Sequence, residues 1–240
     1  HSIEEAGDLN FLNARDFPDM KRGEEEKGLK RVKASLKNIG ENNPNACGFL
    51  AARNDFASFA LRPQKFFDLS AVQLQKERRF YQAGSKLLIK HNSIIPEAAF
   101  TRAPMCFTAA VYSLLCSDEN ILLYLCGVLN STLMRFYCIF GINNQSAVTM
   151  NLNQYMIRHL PVVPYAEAGS RAVRIIAIVE ELSGETETFE AKLAALREKL
   201  FADLDREVFS LYQLEEQADL IARKVAGALD MFRKRKKSMA

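Results

Sequence analysis

Along the last third of the chain, apolar residues recur at three- and four-residue steps. Phe189, Leu193, Leu196, Leu200, Leu204 and Val208 follow that spacing, which predicts a long amphipathic helix after Gly184. A helix capped by Ser170 precedes it, with Val173, Ile176, Val179 and Leu182 on one face. A last helix follows, with Ala218, Ile221, Val225, Leu229 and Phe232 on a stripe. Upstream the period changes. Lys86 to Lys90 reads as a strand released by Gly84. Phe107 to Cys116, β-branched and apolar with little alternation, reads as a strand inside a sheet. Ser70-Ala71-Val72-Gln73 predicts a capping box that opens a short helix through Tyr81. Ser117, Asp118 and Glu119 supply a cap and first-turn negative charge for a helix from Asn120 to about Phe140. A short helix from Asn153 to His159 is halted by Pro161 and Pro164.

These elements predict an α+β fold: a small mixed β-sheet with packed helices over residues 1–165, and a helical C-terminal region over 166–240. The second region packs on the first or on a partner. The apolar segment from Ile121 to Phe140 raises the question of a membrane span. Gly127, Asn130, Ser131, Thr132 and Arg135 in its middle make it a buried helix instead, so no membrane is expected.

At 240 residues, with nearly half of them apolar, the chain can bury a proper core. A net charge of +3 is too small to prove a polyanionic partner, but its distribution is uneven. Between Arg62 and Lys90 seven cations face only Asp68 and Glu77, and Arg233 to Lys237 is a basic end. The Glu24-Glu25-Glu26 run, with Lys21, Arg22 and Lys27 beside it, reads as a solvated charge cluster. Five cysteines without a C-x-x-C pair suit buried free thiols in a reducing compartment, so a cytoplasmic location is expected and no metal site. Glycine-rich nucleotide loops and a nucleophile elbow are both missing, and only three histidines are present, so the sequence argues against an independent enzyme.

Candidate chemistry concentrates between Lys86 and Pro164. Lys and Arg supply phosphate contacts, while Asn and Gln can make paired hydrogen bonds to adenine in the major groove. The amide-rich loop after the apolar helix holds Asn143, Asn144, Gln145, Ser146, Thr149, Asn151, Asn153 and Gln154. Together with Lys86, Lys90, His91 and Arg102 these are the candidate DNA-binding residues. Each has a plainer alternative: a turn or cap for any single amide, a strand end for His91, a surface position for Arg102.

Three segments also resemble a known family. FYQAGSKLLIKHNSIIPEAAF is similar to its opening, and LLYLCGVLNSTLMRFY followed by LNQYMIRHLPVVP is similar to its LNS helix and leucine-proline stop. LDREVFSLYQLEEQ is similar to its close, and KRGEEEKG more loosely to its entry motif. The family is the TaqI-like C-terminal specificity domain of adenine DNA methyltransferases, found also in fused type II and type IIG restriction-modification enzymes. The resemblance covers about Arg79 to Leu214. It implies a target-recognition domain whose partners are double-stranded DNA and a methyltransferase catalytic domain or subunit. The N-P-P-[YF] tetrapeptide of the family's catalytic domain has no counterpart here. No cofactor is therefore expected in this chain, and S-adenosylmethionine belongs to the catalytic domain. A second expectation, from a different class, is an assembly module docking on a catalytic subunit through Phe189, Leu193, Leu196 and Leu200.

Overall fold

Every side chain of strand β6 (Lys86–Lys90) except the last is buried, because the strand has protein on both faces. The structure, a computed structural model, describes residues 11–13, 15–36, 45–51, 55–91, 93, 95–142, 152–184 and 190–238. Strand β6 lies in an antiparallel four-stranded sheet, in the order β1 (Asp19–Arg22), β9 (Val111–Leu115), β6, β7 (Ala98–Thr101). On one face Leu87, Ile89, Phe100, Tyr112 and Leu114 enter a core shared with the helices. On the other, Leu88, Ala99 and Val111 enter a second core. A sheet covered on both sides reads as a continuous apolar run rather than an alternation.

The second core is closed by helix α1 (Glu26–Ser35) and a mixed three-stranded sheet. That sheet runs β5 (Lys65–Asp68), β2 (Ala46–Leu50), β8 (Met105–Phe107), with β2 antiparallel to β5 and parallel to β8. A small hairpin joins β3 (Phe56–Ala57) to β4 (Ala60–Leu61). The apolar run from Phe107 to Cys116 is therefore not one strand. The chain leaves the smaller sheet at Phe107, turns where Val111 N donates to Thr108 O (3.0 Å), and enters the larger sheet as β9.

Ser70 does not open an α-helix either. Asp68 caps a single 3-10 turn, Leu69–Ala71, and a second such turn covers Arg78–Phe80. The amide protons of Gln75 and Lys76, which a helix would point at its own carbonyls, donate to the two carboxylate oxygens of Glu24 (both 3.0 Å). Tertiary hydrogen bonds override the local cap signal.

The long helix expected from Asn120 divides in three. Helix α2 (Glu119–Asn130) starts on Asp118, whose Oδ1 accepts from Asn120 N (2.9 Å). It ends at extended Ser131; α3 (Thr132–Phe136) and a π-helical segment, Tyr137–Ile142, follow, with the two halves bent by 57°. Ser131 Oγ donates to Val128 O (2.7 Å) and accepts from Met134 N (3.2 Å), so one hydroxyl closes one helix and opens the next. Leu122 through Asn130 are all buried in protein, and among the described residues no single helix is long and apolar enough to cross a membrane.

Helix α4 (Gln154–Arg158) leads to α5 (Gly169–Gly184), α6 (Glu190–Leu211) and α7 (Ala218–Ser238). Gly127 lets α5 approach α2 closely, since a Cβ there would overlap the Ile175 side chain. One hydrophobic cluster runs from Phe17, just before β1, to Ala228 in α7, joining these helices to the larger sheet. Tyr212 locks them. Its buried hydroxyl donates to Pro161 O (2.7 Å) and accepts from Val163 N (3.4 Å). Tyr212→Phe leaves both main-chain groups unpaired, and a urea titration is expected to show a loss of about 2 kcal/mol. An unchanged midpoint would refute the lock.

Candidate nucleic-acid interface

The two lysines of β6 stand four residues apart at opposite ends of the strand, about 13 Å from each other at strand spacing. They do not form one patch. Lys86 is almost fully buried, and its ammonium donates to the carbonyls of Gln82 (2.5 Å), Gly84 (3.0 Å) and Ala103 (3.1 Å). Burial pushes the amine down to about 8. The expected phosphate contact is corrected here: all three donors of this lysine are engaged, and it fastens the loop before β6 to the turn after β7. Substituting Lys86 reports on folding rather than on DNA affinity. Arg102, at the same end, is exposed and paired with Glu119, whose Oε2 accepts from its Nε (3.0 Å). The guanidinium also lies 4.9 Å above the Phe100 ring.

At the other end Lys90 pairs with Glu97 (3.0 Å), which also accepts from Ser93 Oγ (2.9 Å). His91 follows immediately. Its main-chain N–H donates to Ala110 O (2.7 Å), its carbonyl accepts from Leu152 N (3.1 Å), and its ring Nδ1–H donates to Leu152 O (2.8 Å). The ring meets Tyr112 edge-on at 5.2 Å. The chain thus returns from the amide loop through Leu152, which is clamped to the end of β6. Asn143, Asn144, Gln145, Ser146 and Asn151 lie outside the described residues. Asn153 is exposed, with Oδ1 capping α4 by accepting from Met156 N (2.9 Å). Gln154 Nε2 donates to Met20 O (3.3 Å) and ties α4 to strand β1. The structure therefore gathers Lys90, His91, Asn153 and Gln154 around the exit of the loop, and sets Lys86 and Arg102 apart.

Glu97 neutralises Lys90 there, but the adjoining segment of chain carries no acidic side chain. From Asn120 to Ala166 the chain contains no carboxylate side chain. Strand β1, next to Gln154, carries exposed Lys21 and Arg22. Arg22 Nε donates to Ala109 O (2.7 Å), while Lys21 has no ion-pair partner among the described residues. A separate cavity of about 400 Å³ opens between α1 and the smaller sheet, with Lys33, Lys65, Asp55 and Gln64 among its lining residues.

One residue was misassigned by charge patterning. Glu24 is not solvated: it is fully buried, accepting from Gln75 N, Lys76 N and, at 3.1 Å, the Tyr81 hydroxyl. Its neighbours Gly23 and Gly28 are required by close packing. A Cβ on Gly23 would overlap the carbonyl oxygens of Phe107 and Thr108, and one on Gly28 would overlap the Glu24 carboxylate. The signal available in the sequence was the spacing R-G-E-x-x-x-G, an acid flanked by two glycines.

The remaining family-like segments also meet in space, as scaffold. Asn130 grips Ala98 with both ends of its amide, Oδ1 accepting from Ala98 N (3.0 Å) and Nδ2 donating to Ala98 O (2.8 Å). Asp205 Oδ1 accepts from Thr132 N (2.8 Å), joining the closing segment to the LNS break. Tyr212 of the same segment bonds the leucine-proline stop.

Comparison with known proteins agrees with this arrangement. A search of curated proteins returned no match. Among solved structures, the type IIG restriction endonuclease BpuSI superposes with a TM-score of 0.52 at 11% identity, over 88% of this chain and 33% of its own. That likeness shows a shared fold. MmeI, a type IIL restriction-modification enzyme solved in complex with DNA, gives 0.47 at 11% identity over 91% and 37%. A chain from a type I restriction-modification system gives 0.46 at 11% identity over 88% and 46%. The present chain spans less than half the length of each. The profile of the TaqI-like C-terminal specificity domain matches residues 52–162, which include β6 to β9, the LNS break and the leucine-proline stop. Over residues 52–162, a little under half of its length, the chain is similar to TaqI-like C-terminal specificity domains.

Proposed function

We propose that this chain is the target-recognition part of a restriction-modification N6-adenine DNA methyltransferase. It holds double-stranded DNA and reads its sequence, while a catalytic domain or subunit supplies the S-adenosylmethionine site and the chemistry. The observation that carries this reading is what stands on either side of residues 143–151: Ile142 ends the π-helical segment, and Leu152 is clamped on His91, next to Lys90 and to the α4–β1 contact that brings in exposed Lys21 and Arg22. Nearby Glu97 and Asp19 are each engaged by a cation, Lys90 and Arg79; remaining cations such as Lys21 can neutralise phosphates and release counterions. Amides at the loop then meet base edges, where a paired contact to adenine discriminates by about 1–3 kcal/mol. Cytoplasmic location follows from this role. The alternative seam on α6 receives no support from its described members, since Leu200 is buried and Leu196 packs against the core.

The test uses the 240-residue chain and a pool of duplexes with a randomised core. Selection is expected to enrich one sequence, and affinity to fall steeply with salt. Asn144→Ala with Gln145→Ala is expected to flatten the preference at one or two base pairs, while Lys21→Glu weakens all duplexes alike. Binding independent of salt, or none to any duplex, overturns the proposal.

A further inference from the structure

Tyr155 is the most exposed large hydrophobic side chain among the described residues, at 70%. It sits on a helix of only five residues, α4, directly after the loop clamp. Its ring is nonetheless ordered. The His159 imidazole stacks on it with centroids 3.9 Å apart and planes 29° from parallel, and His159 Nδ1–H donates to Tyr155 O (2.7 Å). One face of the tyrosine is thus covered and its orientation set, while most of the side chain faces solvent.

Charge around this stack selects the occupant. Gln154, the preceding residue, is bonded to Met20 O, which places α4 beside Lys21 and Arg22 of β1. The carboxylate of that strand, Asp19, is paired with Arg79 (2.7 Å). No carboxylate lies within the segment Asn120 to Ala166 that contains the stack. The exposed apolar side chains of α7 differ: Leu220 follows Asp219, and Met231 follows Asp230. An exposed aromatic ring on a helix that touches the basic strand β1 suits a duplex, whose deoxyriboses offer apolar surface between the phosphates.

We propose that Tyr155, held by His159, is a duplex-contacting residue that packs against the DNA backbone. The inference rests on the recognition function above. The contact is to deoxyribose, so it adds affinity without discriminating sequence, and His159 acts as a positioning residue. Because the ring is ordered before DNA arrives, binding need not fix its rotamer.

The experiment measures affinity of the 240-residue chain for its selected duplex and for a scrambled duplex at constant salt. Tyr155→Ala is expected to weaken both by about fivefold or more, in line with the loss of one partly buried aromatic contact. Tyr155→Phe keeps the ring and is expected to stay within about threefold of the parent. Met231→Ala, an exposed control on α7, is expected to bind as the parent does, and all variants to melt together. If Tyr155→Ala binds both duplexes like the parent, or Met231→Ala loses as much as Tyr155→Ala, this contact is refuted while the recognition function stands. If the parent itself binds no duplex, the recognition function falls and the contact with it.

Discussion

Replacing Glu24 with alanine is expected to lower stability by about 3–5 kcal/mol, a large share of what a domain of this kind possesses. Glu25→Ala and Glu26→Ala are expected to change it by less than about 1 kcal/mol. Three adjacent residues of one type thus differ sharply, for reasons of position alone. Glu25 and Glu26 make exposed pairs with Lys76 (3.4 Å) and Lys30 (3.0 Å), which water and salt screen. The Glu24 carboxylate is enclosed and serves three donors: two main-chain N–H groups and the Tyr81 hydroxyl. Removing it strands all three in a site where an unmade hydrogen bond costs about 1–3 kcal/mol each. Glu24→Gln is the sharper variant. With its carbonyl in place of Oε1 it still accepts from Lys76 N and Tyr81, but its amide nitrogen faces the Gln75 N–H, so roughly half the loss is expected. Urea titrations of the four variants followed by circular dichroism decide the matter, and equal midpoints for Glu24→Ala and Glu25→Ala would refute the buried role.

Alkaline pH is expected to unfold the chain from about pH 9 upward, well before surface lysines discharge. Burial pushes the thiols of Cys47, Cys126 and Cys138 up to about 12 from an ordinary value of 9.0, and that of Cys106 upward as well. A group that keeps its proton in the native state but releases it when unfolded contributes stability that is complete below the unfolded value and is lost as pH rises toward the folded one. The window is therefore about pH 9 to 12. Lys86 acts in the opposite sense, because burial pushes its amine down to about 8 from 10.5. The unfolded chain then holds a proton that the native one gives up, so this residue adds stability as pH climbs between those values. Four thiols against one amine leave a net of three groups, and at roughly 1.4 kcal/mol per group the slope is about 4 kcal/mol per pH unit between 9 and 10; above that the hydroxyls of Tyr81, Tyr124 and Tyr212, also pushed up by burial, steepen the fall. The measurement is the urea midpoint at half-unit steps from pH 7.5 to 10.5. A steep fall beginning near 9, made shallower by Cys138→Ala, is the expected result; a flat profile would contradict the burial of these thiols.

What could be read from the sequence was what neighbouring residues decide among themselves. The start of α2 was legible because Asp118 and Asn120 are two residues apart and their hydrogen bond is local. Strand β6 was legible because a bounded apolar run suits a sheet interior. The break at Ser131 was not, since it is reinforced by Asp205, 73 residues away. The missing helix after Ser70 has the same origin, as Glu24 reaches across about fifty positions to take the amides of Gln75 and Lys76. For the candidate site the limit was direction. A lysine in a strand announces its charge but not whether a second sheet covers it. Lys86 was drawn inward by the stacking of two sheets, and Lys90 was matched by Glu97 across a hairpin. Exposed Tyr155 carried no periodic or motif signal; only its solvent-facing stack on His159 distinguishes it from a core tyrosine such as Tyr212.

The clamp at Leu152 bears on the proposed recognition role. Toward His91 it engages through its own amide and carbonyl, and the identity of residues 143–151 plays no part in those bonds. The grip on the amide-bearing interval is thereby separated from its vocabulary. If residues 143–151 read base pairs, as proposed above, substitutions among them would alter the preferred sequence while the anchoring atoms of Leu152 and His91 keep their bonds.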